Sequence, residues 1–377
     1  MTNILVRLAN RAQQEMFPQR KSRFQTHNID ERETTEDFSP STIIKSWAIG
    51  TQKDSFSNQG SKDVAVSRRN KRKQLSQLLG IQNVSVAKKS DTIWVAEDEH
   101  AWYEKCHLSL MGDLFPAYIC KTKKIRSRNV WMICVQGHTT GMHTSIGVQQ
   151  GNEKRKLEVV GDRDIANWCT KNGFNALCIE QFSLGERVEK RLPYVHVHNC
   201  QDAAMQSLLF GRTLIGQRIV EVLGVAKMIK EYHGLETTVG VLGNSLGGTI
   251  AMYSHSLADE IDVAIMSSCV SDFQYSLLQR SGKHCLDQIV PQLLDYFECG
   301  DIVGLAAPKL SILVYGLGDQ LFPISGFRSA IETASQIYAE HGATSQLRPV
   351  IGVAGHRFYG ELTLAEVSRH PAIFGYV

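Results

Sequence analysis

The chain has 377 residues, 43% of them hydrophobic, and a formal net charge of +3. That length and apolar content suffice for a full globular core, and α/β folds often use more than about 250 residues as one unit. The near-balanced charge, with no long basic or acidic tail, gives no footing for a nucleic-acid partner. No apolar run approaches the roughly 20 residues of a membrane span. Nine cysteines are scattered without a CxxC pair, and Met1 to Arg20 carries Arg7, Arg11 and Glu15 among its apolar residues, so no export-type apolar core is expected. The pattern predicts reduced, mostly buried thiols in a cytoplasmic protein.

Residues 1–90 are polar and rich in Gln, Ser, Asn, Lys and Arg. Asn10 to Phe17 and Lys71 to Leu79 have helical spacing. The cluster Arg68, Arg69, Lys71, Arg72, Lys73 lacks interleaved aromatics and reads as a solvated helix face. This segment is expected to be a mainly helical or irregular extension, serving as a cap or an oligomer contact. Residues 91–377 are expected to form the catalytic domain.

From about residue 91 the pattern changes. Strands are predicted over Thr92 to Ala96, Lys105 to Leu110 and Phe115 to Lys121. Val130 to Val135 is a continuously apolar run. A helical stretch near Arg163 to Lys171 precedes a buried-type strand, Asn175 to Ile179. A long helix is predicted from about Thr213 to Tyr232, then strands over Val239 to Leu242, Val263 to Met266, Ser311 to Tyr315 and Val350 to Val353. Short apolar runs alternating with helices indicate a mostly parallel central sheet flanked by helices, an α/β class. Such sheets carry their chemistry beyond the carboxyl ends of the strands.

At one such end stands Gly243-Asn244-Ser245-Leu246-Gly247-Gly248. A serine on a tight strand-to-helix turn projects its hydroxyl from the sheet edge, and flanking glycines leave room for the crowded backbone. The helix expected from about Gly248 to Leu257 points its positive end at the site. The Lys-Ser/Thr ending of a phosphate-binding P-loop is absent.

A serine hydroxyl needs a base. After the strand Ser311 to Tyr315 comes Gly316-Leu317-Gly318-Asp319, and after Val350 to Val353 comes Ala354-Gly355-His356. Both lie at the same sheet edge as Ser245, in the order serine, acid, histidine. Asp272 is a rival acid, whereas Asp287 and Asp301 read as surface charges. The predicted roles are nucleophile for Ser245, base for His356 and orienting acid for Asp319. The oxyanion donors are expected from the Leu246 N–H and from the loop Gly137-His138-Thr139-Thr140-Gly141-Met142-His143, through His138 or Thr139. The side chains of His138 and His143 read as loop polarity.

These residues together resemble the α/β-hydrolase esterases grouped with acetyl xylan esterases and dienelactone hydrolases. The resemblance rests on Gly137-His138, on Gly173-Phe174-Asn175 through Gly185-Glu186-Arg187, and on Cys200 followed by Gly211-Arg212-Thr213 and Gly216. The residues Gly243 to Gly248, Asp319 and His356 complete it, and it covers roughly two-thirds of the chain. It implies hydrolysis of a carboxylic ester, a small acyl or acetyl ester, through an acyl-serine. Glu180 to Leu184 stands where that family usually has an Asp and a Gly-rich run, and threonines replace further glycines in the oxyanion loop. Acetyl or xylan specificity is therefore not carried over.

Other readings make different demands. A serine peptidase of the prolyl-oligopeptidase kind needs a propeller, and the N-terminal stretch is too short for several roughly 40-residue blades. A non-catalytic relative would be expected to lack a triad member. His196-Val197-His198-Asn199-Cys200 has ligand-type residues but does not complete a four-ligand zinc set. No metal or other cofactor, no nucleic acid and no membrane are expected; a small-molecule ester is, and a homo-oligomer remains compatible.

Overall fold

A computed structural model describes residues 64–138, 141–190, 200–279 and 283–375, together with Ile44. The chain divides into two units, Met1–Ile49 and Gly50–Val377, and the sheet with its helices belongs to the second. The helix expected over Asn10 to Phe17, Thr139 and Thr140 of the oxyanion loop, and His196 to Asn199 lie outside the described residues.

Helix α1, Val64–Leu78, enters first. Residues 68, 71, 72, 75 and 79 recur at three- and four-residue spacing, which lines them on one face. Leu75 and, just past the helix end, Leu79 are fully buried in the main core. The basic cluster departs from the solvated face expected of it. Lys71 is buried, with its ammonium 5.5 Å from the centroid of the Phe297 ring. Arg68 donates to the Ala307 carbonyl, and Arg72 pairs with Asp259 at 2.7 Å. Long aliphatic stems lie along the core and their heads find acceptors at its rim; Arg69 and Lys73 alone of the five are exposed.

The strands are β1 (Lys88–Glu97), β2 (Ala101–Leu110), β3 (Asp113–Thr122), β4 (Val130–Val135), β5 (Val148–Gln149), β6 (Asn152–Lys156), β7 (Asn175–Ile179), β8 (Thr238–Asn244), β9 (Val263–Ser267), β10 (Leu310–Gly316) and β11 (Leu347–Gly352). The helices that matter here, after α1, are α2 (Met142–Ser145), α3 (Ile165–Lys171), α4 (Gln201–Leu209), α5 (Leu214–His233), α6 (Leu246–Leu257) and α7 (Ile324–Glu340). Nine strands form one sheet in the order β1-β2-β3-β7-β4-β8-β9-β10-β11, and β5 and β6 form a separate hairpin.

From β7 to β11 every neighbouring pair is parallel. The intervening helices supply the crossovers that parallel pairing requires. β1, β2, β3 and β7 pair antiparallel. Met111 and Gly112, at φ 53° and 92°, close a β2–β3 turn too short for any other direction. β1 is an edge: almost all of its residues are exposed, and its pairing with β2 is irregular at Lys89/Asp91 and Thr92/Trp94. Lysines and bulges of this kind discourage strand addition at a free edge.

Burial is complete along β4, β8, β9 and β10, because helices cover both sheet faces. Alternation assigns β4 side chains to opposite faces. Trp131, Ile133 and Val135 join the core under α5 and α6, and Val130, Met132 and Cys134 join the second core under α3. Two clamped faces hold the strand ends in fixed relative positions, and those ends carry the site.

Candidate active site

The turn after β8 is built by contacts that admit no side chain. A Cβ on Gly243 would collide with the Gly247 carbonyl, and one on Gly247 with the Val135 carbonyl at the end of β4. Ser245 between them adopts φ 58° and ψ −124°, a conformation that costs a residue with a Cβ about 1–3 kcal/mol. The surroundings hold it there. The Ser245 N–H donates to the Ser267 carbonyl at 2.8 Å, and its carbonyl accepts from the Thr249 N–H at 3.0 Å. Leu246 opens α6, so its N–H has no carbonyl four residues back within the helix.

Asp319 and His356 meet directly. His356 Nδ1–H donates to Asp319 Oδ2 at 2.7 Å. Asp319 Oδ1 accepts from the N–H groups of Leu321 at 2.9 Å and Phe322 at 3.2 Å. The carboxylate is wholly buried, while the imidazole keeps about a quarter of its side-chain surface in solvent. The Phe322 ring stacks on it, 5.8 Å between centroids and 11° between planes. With its Nδ1–H donated in a hydrogen bond to Asp319, the basic nitrogen of His356 is Nε2. The loops after β10 and β11 are laced by main-chain bonds, Leu317 N–H to Gly352 O and Gly318 N–H to Ala354 O, both at 2.9 Å.

Ser245 reaches this pair through β9. The loop after β11 folds back so that the Arg357 carbonyl accepts from Ser267 Oγ at 3.2 Å and Ser268 Oγ at 3.0 Å. Ser267 thus bonds the backbone of Ser245 through its carbonyl and the residue after His356 through its hydroxyl. Among the described residues no direct hydrogen bond joins the Ser245 hydroxyl to the imidazole.

The opposite bank is the loop after β4. A Cβ at Gly137 would stand 3.0 Å from the Asn244 carbonyl and 3.3 Å from Ser245 Cβ, so this loop touches the turn that carries Ser245. Buried side chains hold it. Gln136 Nε2 donates to Ser145 Oγ at 2.5 Å and Arg163 O at 2.9 Å. Glu180 accepts from the N–H groups of Met142 and Glu186, each at 3.1 Å. Burial pushes the Glu180 carboxyl up to about 7, against those two donors and the nearby His143. His143 Nε2 lies 2.8 Å from Glu186 Oε1 and 3.1 Å from Glu153 Oε1. The hydrogen bond from His143, with Lys105 adding to it, holds Glu186 down at about 2.

His143, read from the sequence as loop polarity, is 2% exposed and lies inside this ion cluster. His138 Nε2 is 3.0 Å from Cys200 Sγ. The rival acids are structural. Asp272 is buried and accepts from Gly300 N–H at 3.1 Å. Asp287 is no surface charge: it pairs with Arg218 at 2.5 Å, both side chains fully buried, because Arg218 points inward from α5 and needs a counter-charge. Asp301 is buried too, accepting from the Glu298 N–H at 2.8 Å where a helix starts. Sequence reasoning had no local signal for Arg218 or Cys285, whose partners are distant in the chain.

No protein-family model matches the chain. The Bacillus subtilis protein "Putative hydrolase YtaP" is 25% identical over 296 residues, covering 77% of this chain and 94% of that protein. Among solved structures, a putative acetyl xylan esterase from Bacteroides fragilis has a TM-score of 0.67 at 16% identity, over 86% of this chain and 84% of its own. A glucuronoyl esterase from Solibacter usitatus has a TM-score of 0.59 at 12% identity, over 84% and 96%. The chain has the α/β-hydrolase fold of these structures, a mostly parallel sheet flanked by helices.

Proposed function

We propose that this protein hydrolyses a carboxylic ester of a small acyl group, with Ser245 as nucleophile, His356 as base and Asp319 as the acid that orients it. The observation that carries the reading is the buried Asp319 carboxylate 2.7 Å from His356 Nδ1, at the same sheet edge as a serine in strained geometry. His356 Nε2 takes the Ser245 proton as Oγ attacks the ester carbonyl, and a tetrahedral oxyanion forms. The Leu246 N–H at the start of α6, with an N–H of the loop after β4 from His138 or Thr139, receives that charge. The protonated imidazole then gives its proton to the leaving alcohol. Water, deprotonated by the same nitrogen, attacks the acyl-serine; as the acyl–Oγ bond breaks, the imidazolium returns the proton to Ser245 Oγ and the acid leaves.

The reading requires the Ser245 hydroxyl and His356 Nε2 to come within hydrogen-bond reach in the substrate complex, where catalytic hydrogen bonds often tighten. The description of the similar structures as esterases supports the substrate class, and the relative described as a hydrolase agrees with it. The test is hydrolysis of p-nitrophenyl acetate by wild type and Ser245→Ala. The alanine variant should keep its fold and lose at least about 10⁴-fold in kcat. Turnover within tenfold of wild type would remove Ser245 from the mechanism.

A further inference from the structure

Next to the loop after β4, four metal-ligating side chains from three separate stretches of chain converge. They are His138, Cys200 at the start of α4, and Cys285 and Asp287 of the turn at Leu286–Gln288. We propose that His138, Cys200, Cys285 and Asp287 form a binding site for a divalent cation of the zinc class. Their ligand atoms all lie within 4.8 Å of one another. Cys200 Sγ is 2.8 Å from Cys285 Sγ and 3.0 Å from His138 Nε2. Asp287 Oδ2 is 3.8 Å from the same imidazole nitrogen.

The donor chemistry selects the ion. Two sulfurs, an imidazole and a carboxylate suit zinc, and exclude the hard cations that take oxygen alone. Zinc–sulfur bonds of about 2.3 Å in a tetrahedron would set the sulfurs about 3.8 Å apart, so binding opens the cluster by about 1 Å. Charge also balances. Two thiolates neutralise the cation, and Arg218 already neutralises Asp287 at 2.5 Å. Asp287 presents Oδ2 to the His138 imidazole, and its Oδ1 is buried without a hydrogen-bond partner, a state that costs free energy.

Binding releases both thiol protons to solvent and transfers no electron. A disulfide between the sulfurs would instead need an external oxidant and would leave the imidazole and carboxylate without a purpose. All four positions are protein ligands, which is the closed arrangement of a structural site. Its effect would be to anchor His138, and through it the loop that touches Ser245.

The test uses the full chain, purified with reductant, loaded with zinc and desalted, and read by elemental analysis. About one zinc per chain should remain, falling below about a tenth in Cys200→Ser and in Cys285→Ser. Ser245→Ala and Cys106→Ala, a buried thiol elsewhere, should keep it, which separates this site from the proposed ester chemistry. Cobalt(II) loading gives a reading independent of how stable the variants are. Wild type should develop thiolate-to-cobalt charge-transfer absorption and the visible bands of a tetrahedral site. Three results would overturn the proposal: folded, reduced wild type without zinc or cobalt bands; equal zinc in wild type and both serine variants, meaning adventitious binding; or a disulfide between residues 200 and 285 mapped in protein purified with reductant.

Discussion

The two banks of the site are made differently. On the bank of β8 to β11, glycines and main-chain hydrogen bonds fix Ser245, Asp319 and His356, and few charges are involved. On the bank of β4 and β7, buried ionic groups do the holding: Glu180 and His143 under the loop, and Arg218 with Asp287 behind it. A main-chain scaffold tolerates side-chain change as long as no Cβ is added where backbones touch. An ionic scaffold depends on every charge keeping its partner, because an unpaired buried charge is far more costly than a lost exposed one.

That contrast can be broken from the first bank with the larger effect. Asp319→Asn keeps the shape of the loop but lets Nδ1 of His356 accept rather than donate, so the wrong nitrogen is protonated. Steady-state kinetics should give a kcat loss of about 10³–10⁴-fold with little change in melting temperature. A loss under tenfold would remove Asp319 as the orienting acid.

The second bank should answer in stability. Arg218→Met leaves Asp287 charged and buried, and also deprives the Phe182 carbonyl of its donor at 2.9 Å. Denaturant melts should show a loss of about 3–5 kcal/mol. A change below about 1 kcal/mol would mean that the pair is not what supports this side of the molecule.

The smallest effect sharpens the comparison through pH. Burial raises Glu180 to about 7, above the value of the unfolded chain, so the folded state holds an extra proton between the two. Its contribution to stability is full below about 4.5 and is lost as pH rises through about 7. Glu180→Gln removes that component. Urea melts at stepped pH should therefore find the wild type losing about 1–3 kcal/mol more than the variant across this window. Parallel profiles would contradict the raised carboxyl.

The same division explains what the sequence could reveal. Strand ends followed at once by Gly243-Asn244-Ser245, by Gly318-Asp319 and by Gly355-His356 are local signals, because tight backbone approach requires glycine at fixed offsets. The apolar runs at Val130 and Val263 are legible because doubly covered strands have no polar face. The ionic bank is not: Arg218 and Asp287 are 69 residues apart in the chain, and neither flank marks the other. The basic run of α1 misleads because composition does not say which face docks. Helix α7 does carry a signal, since Phe327, Ala330, Ala334 and Ile337 recur at helical spacing. The strand Asn152–Lys156, reading Asn-Glu-Lys-Arg-Lys, has no apolar alternation to detect.

Ester hydrolysis at this site requires that the hydroxyl at 245 be made reactive by its imidazole neighbour. Peptide mapping after treatment with a fluorophosphonate measures this most directly, on wild type and on His356→Ala. One adduct should appear on Ser245 in the wild type, and labelling should slow at least about 10³-fold in the variant. An unmodified Ser245, or equal labelling with and without His356, would contradict it.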